Sequence, residues 1–225
     1  MKVSETVQRW VEFAALYVAL PIVVAQYFPP WLALPTLCFG GFLTWWLLKK
    51  AQRRGDDSRG QPLFLDEARV PLRKALVVVL VRFAVVAVFL TALLYWRDPE
   101  ALWLLPKTRP WIWPIIMISY PTVSVFPQAV IYRVLFVRRY SSLFAHKYLA
   151  WVVGALVFSL AHLMYRNVIA ISFTFVAGLL FLRTYQKAQS LWLNVLEHGL
   201  YGDFIFTVGW GMYFFHGNVD YSVSS

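Results

Sequence analysis

Charge is scarce in this sequence. Charged residues fill 14% of its 225 positions, where a soluble domain carries roughly 25%. That polar cover is too thin for a chain that is 60% hydrophobic. It excludes a water-soluble globule and leaves lipid as the solvent. Cysteine is nearly absent: Cys38 stands alone, so no intrachain disulfide can form. Polar tracts are absent apart from residues 49–74, which leaves no room for a soluble domain of any size. A small transporter or lipid-binding protein is a further reading; no internal repeat and no pair of Gly/Pro-interrupted apolar segments is visible, which argues against a transporter.

What is abundant fits a bilayer. Seven apolar segments lie near 10–28, 31–48, 75–96, 111–137, 148–165, 168–186 and 190–210, each close to the ~20 residues that cross a hydrocarbon core. They predict an all-α, polytopic membrane protein with about seven transmembrane helices. Aromatic residues make up 18% of the chain. Trp45, Trp46, Trp96, Trp103, Trp111 and Trp113 fall near the ends of apolar runs, where interfacial tryptophans collect. The polar stretch includes residues 61–74, which could form a short interfacial helix. The organisation expected is a single membrane domain: N-terminal helices and a basic loop over 1–110, a motif-bearing core over 111–210, and a short tail over 211–225.

The net charge of +10 would suggest nucleic acid in a soluble protein. Here the basic residues sit between apolar runs, so the expected partner is a bilayer with anionic headgroups and not nucleic acid. With the N-terminus cytoplasmic, fifteen lysines and arginines fall inside and four (Arg97, Lys107, Arg109 and Arg166) fall outside. This bias predicts an N-in topology, and the compact sequence suits a bacterial inner membrane. Pro121 and Pro127 interrupt the fourth segment; a break there would invert everything downstream.

Seven polar residues lie inside predicted spans: Arg82, Gln128, Arg133, His162, Glu197, His198 and Asp203. A charge near the bilayer centre costs at least ~2.5–3.5 kcal/mol, so such groups face the bundle interior and find partners there. Arg82, alone in its segment, reads as a structural cation awaiting a carboxylate. The other six fall on the fourth, fifth and seventh segments, which should therefore meet. Imidazoles and carboxylates in one cavity can bind a metal or activate water; the plainer reading is interhelical hydrogen bonding. His146 and His216 read as solvated surface, and Met117 and Phe204 as packing.

The spacing of these residues is informative. Gln128-Ala-Val-Ile-Tyr-Arg133, then Phe158-Ser-Leu-Ala-His162, then His198 with Gly202 and Asp203 following, occur in order on separate predicted helices. They resemble the EExxxR, FxxxH and Hxxx(N/D) motifs of the CPBP family of membrane proteases, which includes the CAAX prenyl endopeptidases and Abi proteins. Pro127-Gln-Ala-x-x-Tyr-Arg is similar to a bacterial branch that reads PQExxxR. The resemblance implies an intramembrane endopeptidase. A glutamate activates water, His162 and His198 hold the water and stabilise the oxyanion, and the substrate is a membrane-associated peptide or protein. The departures are specific. Gln128 can orient a water but cannot take its proton, and Ala129, the position of a lost glutamate, can do neither. Arg133 loses the carboxylate partner expected one turn before it at position 129, so Glu197 or Asp203 would have to reach it. Gly202 occupies the Asn/Asp position, with Asp203 one residue, or ~100°, further round. Glu197 points to another face and reads as structural. Zinc would use His162 and His198, but the missing glutamate disfavours it. The chain should be an impaired peptidase; the alternative is an inactive relative that binds or regulates membrane proteins. A residue count also places Gln128 in the inner half of the bilayer and His162 near its outer end, so a shared site requires tilt or a break at Pro127.

Overall fold

The computed structural model describes residues 3–53 and 69–214. Among the described residues every regular element is helical. Helix α1 covers 3–27, with a π-helical insert at Ala15–Ala19 just before Pro21. Helices α2 (Pro30–Arg53), α3 (Leu72–Arg97) and a short α4 (Leu104–Thr108) follow. Helix α5 covers 112–140, then come α6 (Lys147–Leu160), α7 (Val168–Ala188) and α8 (Leu191–Val208). Residues 54–68 and His216 lie outside the described residues. The interfacial helix expected over 61–74 therefore falls partly outside them; from residue 69 the chain is irregular until α3 begins at Leu72.

All seven apolar segments are helical, and the protein is an all-α polytopic membrane protein. Among the described residues five stretches are long and apolar enough to cross a bilayer: Ser4–Tyr27, Trp31–Arg53, Leu72–Arg97, Ile112–Leu143 and Val168–Ala188. The remaining two fall short of the expected seven for different reasons. Helix α6 has 14 residues, about 21 Å of rise, against a hydrocarbon core of ~30 Å. Helix α8 has 18 residues, but Asn194, Glu197, His198 and Asp203 dilute its apolar character.

Pro121 and Pro127 do not break the fourth segment. Helix α5 passes through both by switching winding, π-helical over Tyr120–Val125, α-helical over Phe126–Ala129 and π-helical again over Val130–Tyr140. The wider i→i+5 bonding absorbs the missing proline N–H groups without ending the helix. Helix α5 is the central element, packed against α1, α2, α6, α7 and α8, and nearly every side chain from Val125 to Val137 is buried. Phe13 and Tyr17 of α1 interlock with Tyr132, Phe136, Tyr140 and Phe144. The Tyr17 hydroxyl donates to the Ile131 carbonyl at 2.7 Å. Helices α6 and α7 approach closely enough that a Cβ on Gly178 would lie 2.9 Å from the Ala155 Cα.

Trp96 and Trp111 are 82% and 85% exposed at helix ends, as interfacial anchors should be. Trp113 differs: its indole N–H donates to Thr207 at 2.9 Å, tying α5 to α8.

Candidate active site

A cavity of ≈ 60 Å³ opens between α5, α6, α7 and α8, with room for about two waters at ~30 Å³ each. Tyr120, Ser124 and Gln128 of α5 line one wall, at intervals of four residues. Phe158 and His162, Thr174 and Phe181, and His198, Tyr201 and Gly202 form the others. Five of the sequence candidates, Gln128, Phe158, His162, His198 and Gly202, thus share one cavity.

The short α6 explains how His162 comes level with Gln128. Helix α6 stops at Leu160, and His162 lies just past its end, not at the tip of a full span as the sequence count implied. Between α6 and α7 the backbone has only a 3₁₀ turn, Leu163–Tyr165, flanked by turns; such non-α backbone is tolerated at membrane depth where it borders a cavity. The Asn167 side chain closes this turn, accepting from Ala170 N–H at 2.8 Å and donating to the Tyr165 and Tyr213 carbonyls. At His162, Nδ1 lies 2.8 Å from the Phe158 carbonyl. A carbonyl only accepts, so Nδ1 carries the proton and Nε2 of the neutral ring offers a lone pair. The His198 ring stacks near Phe181, with centroids 4.7 Å apart, and its Nε2 is 3.4 Å from the Tyr120 hydroxyl. Phe158 stands between the two histidines, 4.8 Å from His162 and 5.5 Å from His198 by ring centroid. The FxxxH phenylalanine is therefore a wall that holds both imidazoles.

Gln128 donates to Ser124 Oγ at 2.9 Å, and its Oε1 is buried without a hydrogen-bond partner. Ala129 is fully buried but does not line the cavity. Of the two positions where the first motif calls for carboxylates, 128 faces the cavity. Arg133 is also fully buried, and none of its three guanidinium nitrogens has a hydrogen-bond partner. Its guanidinium lies over Phe158 at 3.9 Å and over Phe181 at 5.2 Å.

Neither Glu197 nor Asp203 hydrogen-bonds to Arg133. Glu197, fully buried, forms its ion pair with Arg82 of α3, and Thr184 accepts from the same arginine nitrogen at 2.6 Å. The lone cation of the third segment has thus found its carboxylate. Asp203 does not line the cavity, and its Oδ1 is buried without a partner. Gly202 has a steric reason to differ from the Asn/Asp of the motif: any side chain there would run into the Tyr120 ring. Among the described residues no three His, Cys, Asp or Glu side chains converge as a metal site, so His162 and His198 lack the further protein ligands zinc requires.

Tyr120, Ser124, Thr174 and Tyr201 line the cavity although sequence reasoning passed over them. Tyr120 and Ser124 carried a readable signal, because they precede Gln128 by two and one helical steps of four. A larger open groove of ≈ 510 Å³ lies at the α7–α8 turn beside Arg69 and Trp192, away from every motif residue.

Residues 109–202 match the family described as type II CAAX prenyl endopeptidase Rce1-like. That stretch is less than half of the chain, and over it the chain is similar to a family of membrane CAAX endopeptidases. The match starts just before α5, ends at Gly202 and takes in all three motifs, while α1, α2 and α3 lie outside it. No curated protein and no solved structure is significantly similar to the chain. The similarity to a membrane protease family of the CAAX type gives the cavity a chemical context. Two imidazoles and a polar α5 wall can bind and orient a water beside a peptide carbonyl, and a carboxylate to take its proton is what this chain lacks at the cavity wall.

Proposed function

We propose that the chain descends from a bacterial intramembrane endopeptidase of the CPBP type and is impaired in hydrolysis as it stands. The observation that carries this reading is the shared cavity of Gln128, His162 and His198. In the working form a carboxylate in place of Gln128 would take the proton of a water, which then attacks the peptide carbonyl. His162 Nε2 and His198 would orient that water and the developing oxyanion. A general base contributes ~10²–10⁴-fold, so replacing it with a carboxamide costs a comparable factor. The substrate would be a membrane-associated peptide or protein. The basic loops would contact anionic headgroups on the cytoplasmic side, with the N-terminus inside.

A second reading is a non-catalytic relative that binds membrane peptides or regulates membrane proteins through the same cavity. It is favoured by the pair Gln128 and Ala129, which leaves the α5 wall without a carboxylate. One experiment separates the two. Peptide cleavage in proteoliposomes is compared for the chain, for Gln128→Glu with Ala129→Glu, and for that pair combined with His162→Ala. Cleavage gained with the two glutamates and lost with the histidine supports the peptidase lineage. Folded protein with no cleavage in any form supports binding.

A further inference from the structure

Gly202 stands one helical turn after His198, so a polar side chain there would lie beside the imidazole. The third motif calls for Asn or Asp at this position, and the chain has no side chain at all. The space is nevertheless filled. A Cβ on Gly202 would overlap the Tyr120 ring and lie 2.7 Å from its hydroxyl oxygen, close to the reach of the polar end of an Asn or Asp side chain. That hydroxyl is 3.4 Å from His198 Nε2. Phe206 packs against the Tyr120 ring with centroids 5.3 Å apart, which fixes where the phenol points. Tyr120, His198 and Gly202 all border the ≈ 60 Å³ cavity. The largest polar ring on the α5 wall thus faces the one motif position that has lost its side chain.

We infer that Tyr120 is a positioning residue: from α5, its hydroxyl takes the place of the polar side chain that the third motif puts at 202, and it holds the His198 ring in one tautomer. A phenol donates more readily than it accepts, so the O–H goes to Nε2 and the proton of the neutral ring sits on Nδ1. His198 Nδ1 has no hydrogen-bond partner among the described residues; its N–H is the donor left over for a water or an oxyanion. His162 is held the other way round, with its Nδ1–H on the Phe158 carbonyl and its Nε2 an acceptor. The two imidazoles therefore differ in role, one accepting and one donating, and a neighbour sets each role. The use of this arrangement in hydrolysis rests on the peptidase reading; the tautomer itself does not.

The test is nitrogen-15 NMR of the full chain in detergent, labelled at histidine, which separates a ring nitrogen bearing a proton from one carrying a lone pair. His146→Gln, His162→Gln and His216→Gln identify the His198 signals by elimination. The parent should show His198 protonated on Nδ1. Tyr120→Phe keeps the ring and removes only the hydroxyl, so it should move most of the His198 population to Nε2–H, the form an unheld histidine prefers. A tyrosine that merely packs would leave the tautomer unchanged. Tyr120→Ala with Gly202→Asn should return His198 to Nδ1–H, because the carboxamide donates from the vacated space; Tyr120→Ala alone should not. A parent protonated on Nε2, an unchanged tautomer in Tyr120→Phe, or no return with Gly202→Asn overturns the inference. If the Tyr120→Ala variants do not fold, Tyr120→Phe decides. Where Gln128→Glu with Ala129→Glu gives cleavage, adding Tyr120→Phe should lower kcat roughly 10- to 100-fold, less than the ~10²–10³-fold of a donor that touches the oxyanion itself; an unchanged kcat overturns the role. Absence of cleavage in every form sinks the peptidase reading and leaves the tautomer result to decide this one, so the two failures are told apart.

Discussion

The first three long helices and the motif-bearing helices solve the same solvent problem in opposite ways. In α3 the most apolar window has a mean hydropathy of 2.8, yet only 6% of it is buried inside the protein. In α5 and α7 the windows are less apolar, at 1.4 and 1.8, and 39% buried. Helices α1 and α2 are also little buried, at 17% and 11%, although their windows have a hydropathy of only 1.5. Mean hydropathy therefore does not sort the two regions; the inward polar groups of the motif-bearing helices, which find partners and border a cavity, do. The one charged side chain deep in α3, Arg82, follows the same rule by reaching across to Glu197 and Thr184.

The sharpest way to break this contrast is to cut the link between the two regions. Glu197→Leu leaves Arg82 without its buried carboxylate and should destabilise by about 3–5 kcal/mol, seen as a loss of monodisperse protein by size-exclusion and a lower Tm. Arg82→Met combined with Glu197→Leu should recover most of that loss; if the double variant is as unstable as the single one, the pair is not a closed unit.

Next in size is a substitution that restores a motif residue inside the core. Gly202→Asn should destabilise by about 1–3 kcal/mol through overpacking against Tyr120, although asparagine is what the family motif carries there. Tyr120→Ala should relieve it, so a double-mutant cycle should give a coupling of about 1 kcal/mol or more. Additive effects would mean that Tyr120 is not the obstacle.

A smaller loss, about 1 kcal/mol, is expected for Tyr17→Phe, which removes the buried bond to the Ile131 carbonyl while keeping the ring. The smallest effect belongs to the lipid-facing surface. Val88, 71% exposed on α3, should accept Val88→Leu within about 0.5 kcal/mol. A larger change at Val88 than at Tyr17 in the same unfolding assay would reverse the distinction between the regions.

Much of the architecture was legible in the sequence because membrane insertion depends on local quantities. Run length and hydropathy located all seven helical segments. The ordered motifs located Gln128, His162 and His198, which share a cavity. What was misjudged depended on winding and packing. The fourth segment carries three prolines and reads as breakable, yet π-helical turns carry it through. The fifth segment reads as a full span, yet its helix ends at Leu160 and leaves His162 inside the protein. Glu197 and Asp203 were candidate partners for Arg133 by residue type, but side-chain direction on α8 sends Glu197 to Arg82.

The sequence by itself determined that this is a helical membrane protein, where its helices run, and which polar residues must face inward, because each follows from the cost of placing a residue in hydrocarbon. Tertiary structure alone decided who meets whom. It paired Arg82 with Glu197, set Tyr120 where Gly202 leaves space, and left Arg133 against two phenylalanines without a hydrogen-bond partner. Those outcomes depend on the register between helices far apart in the chain, which no local pattern encodes.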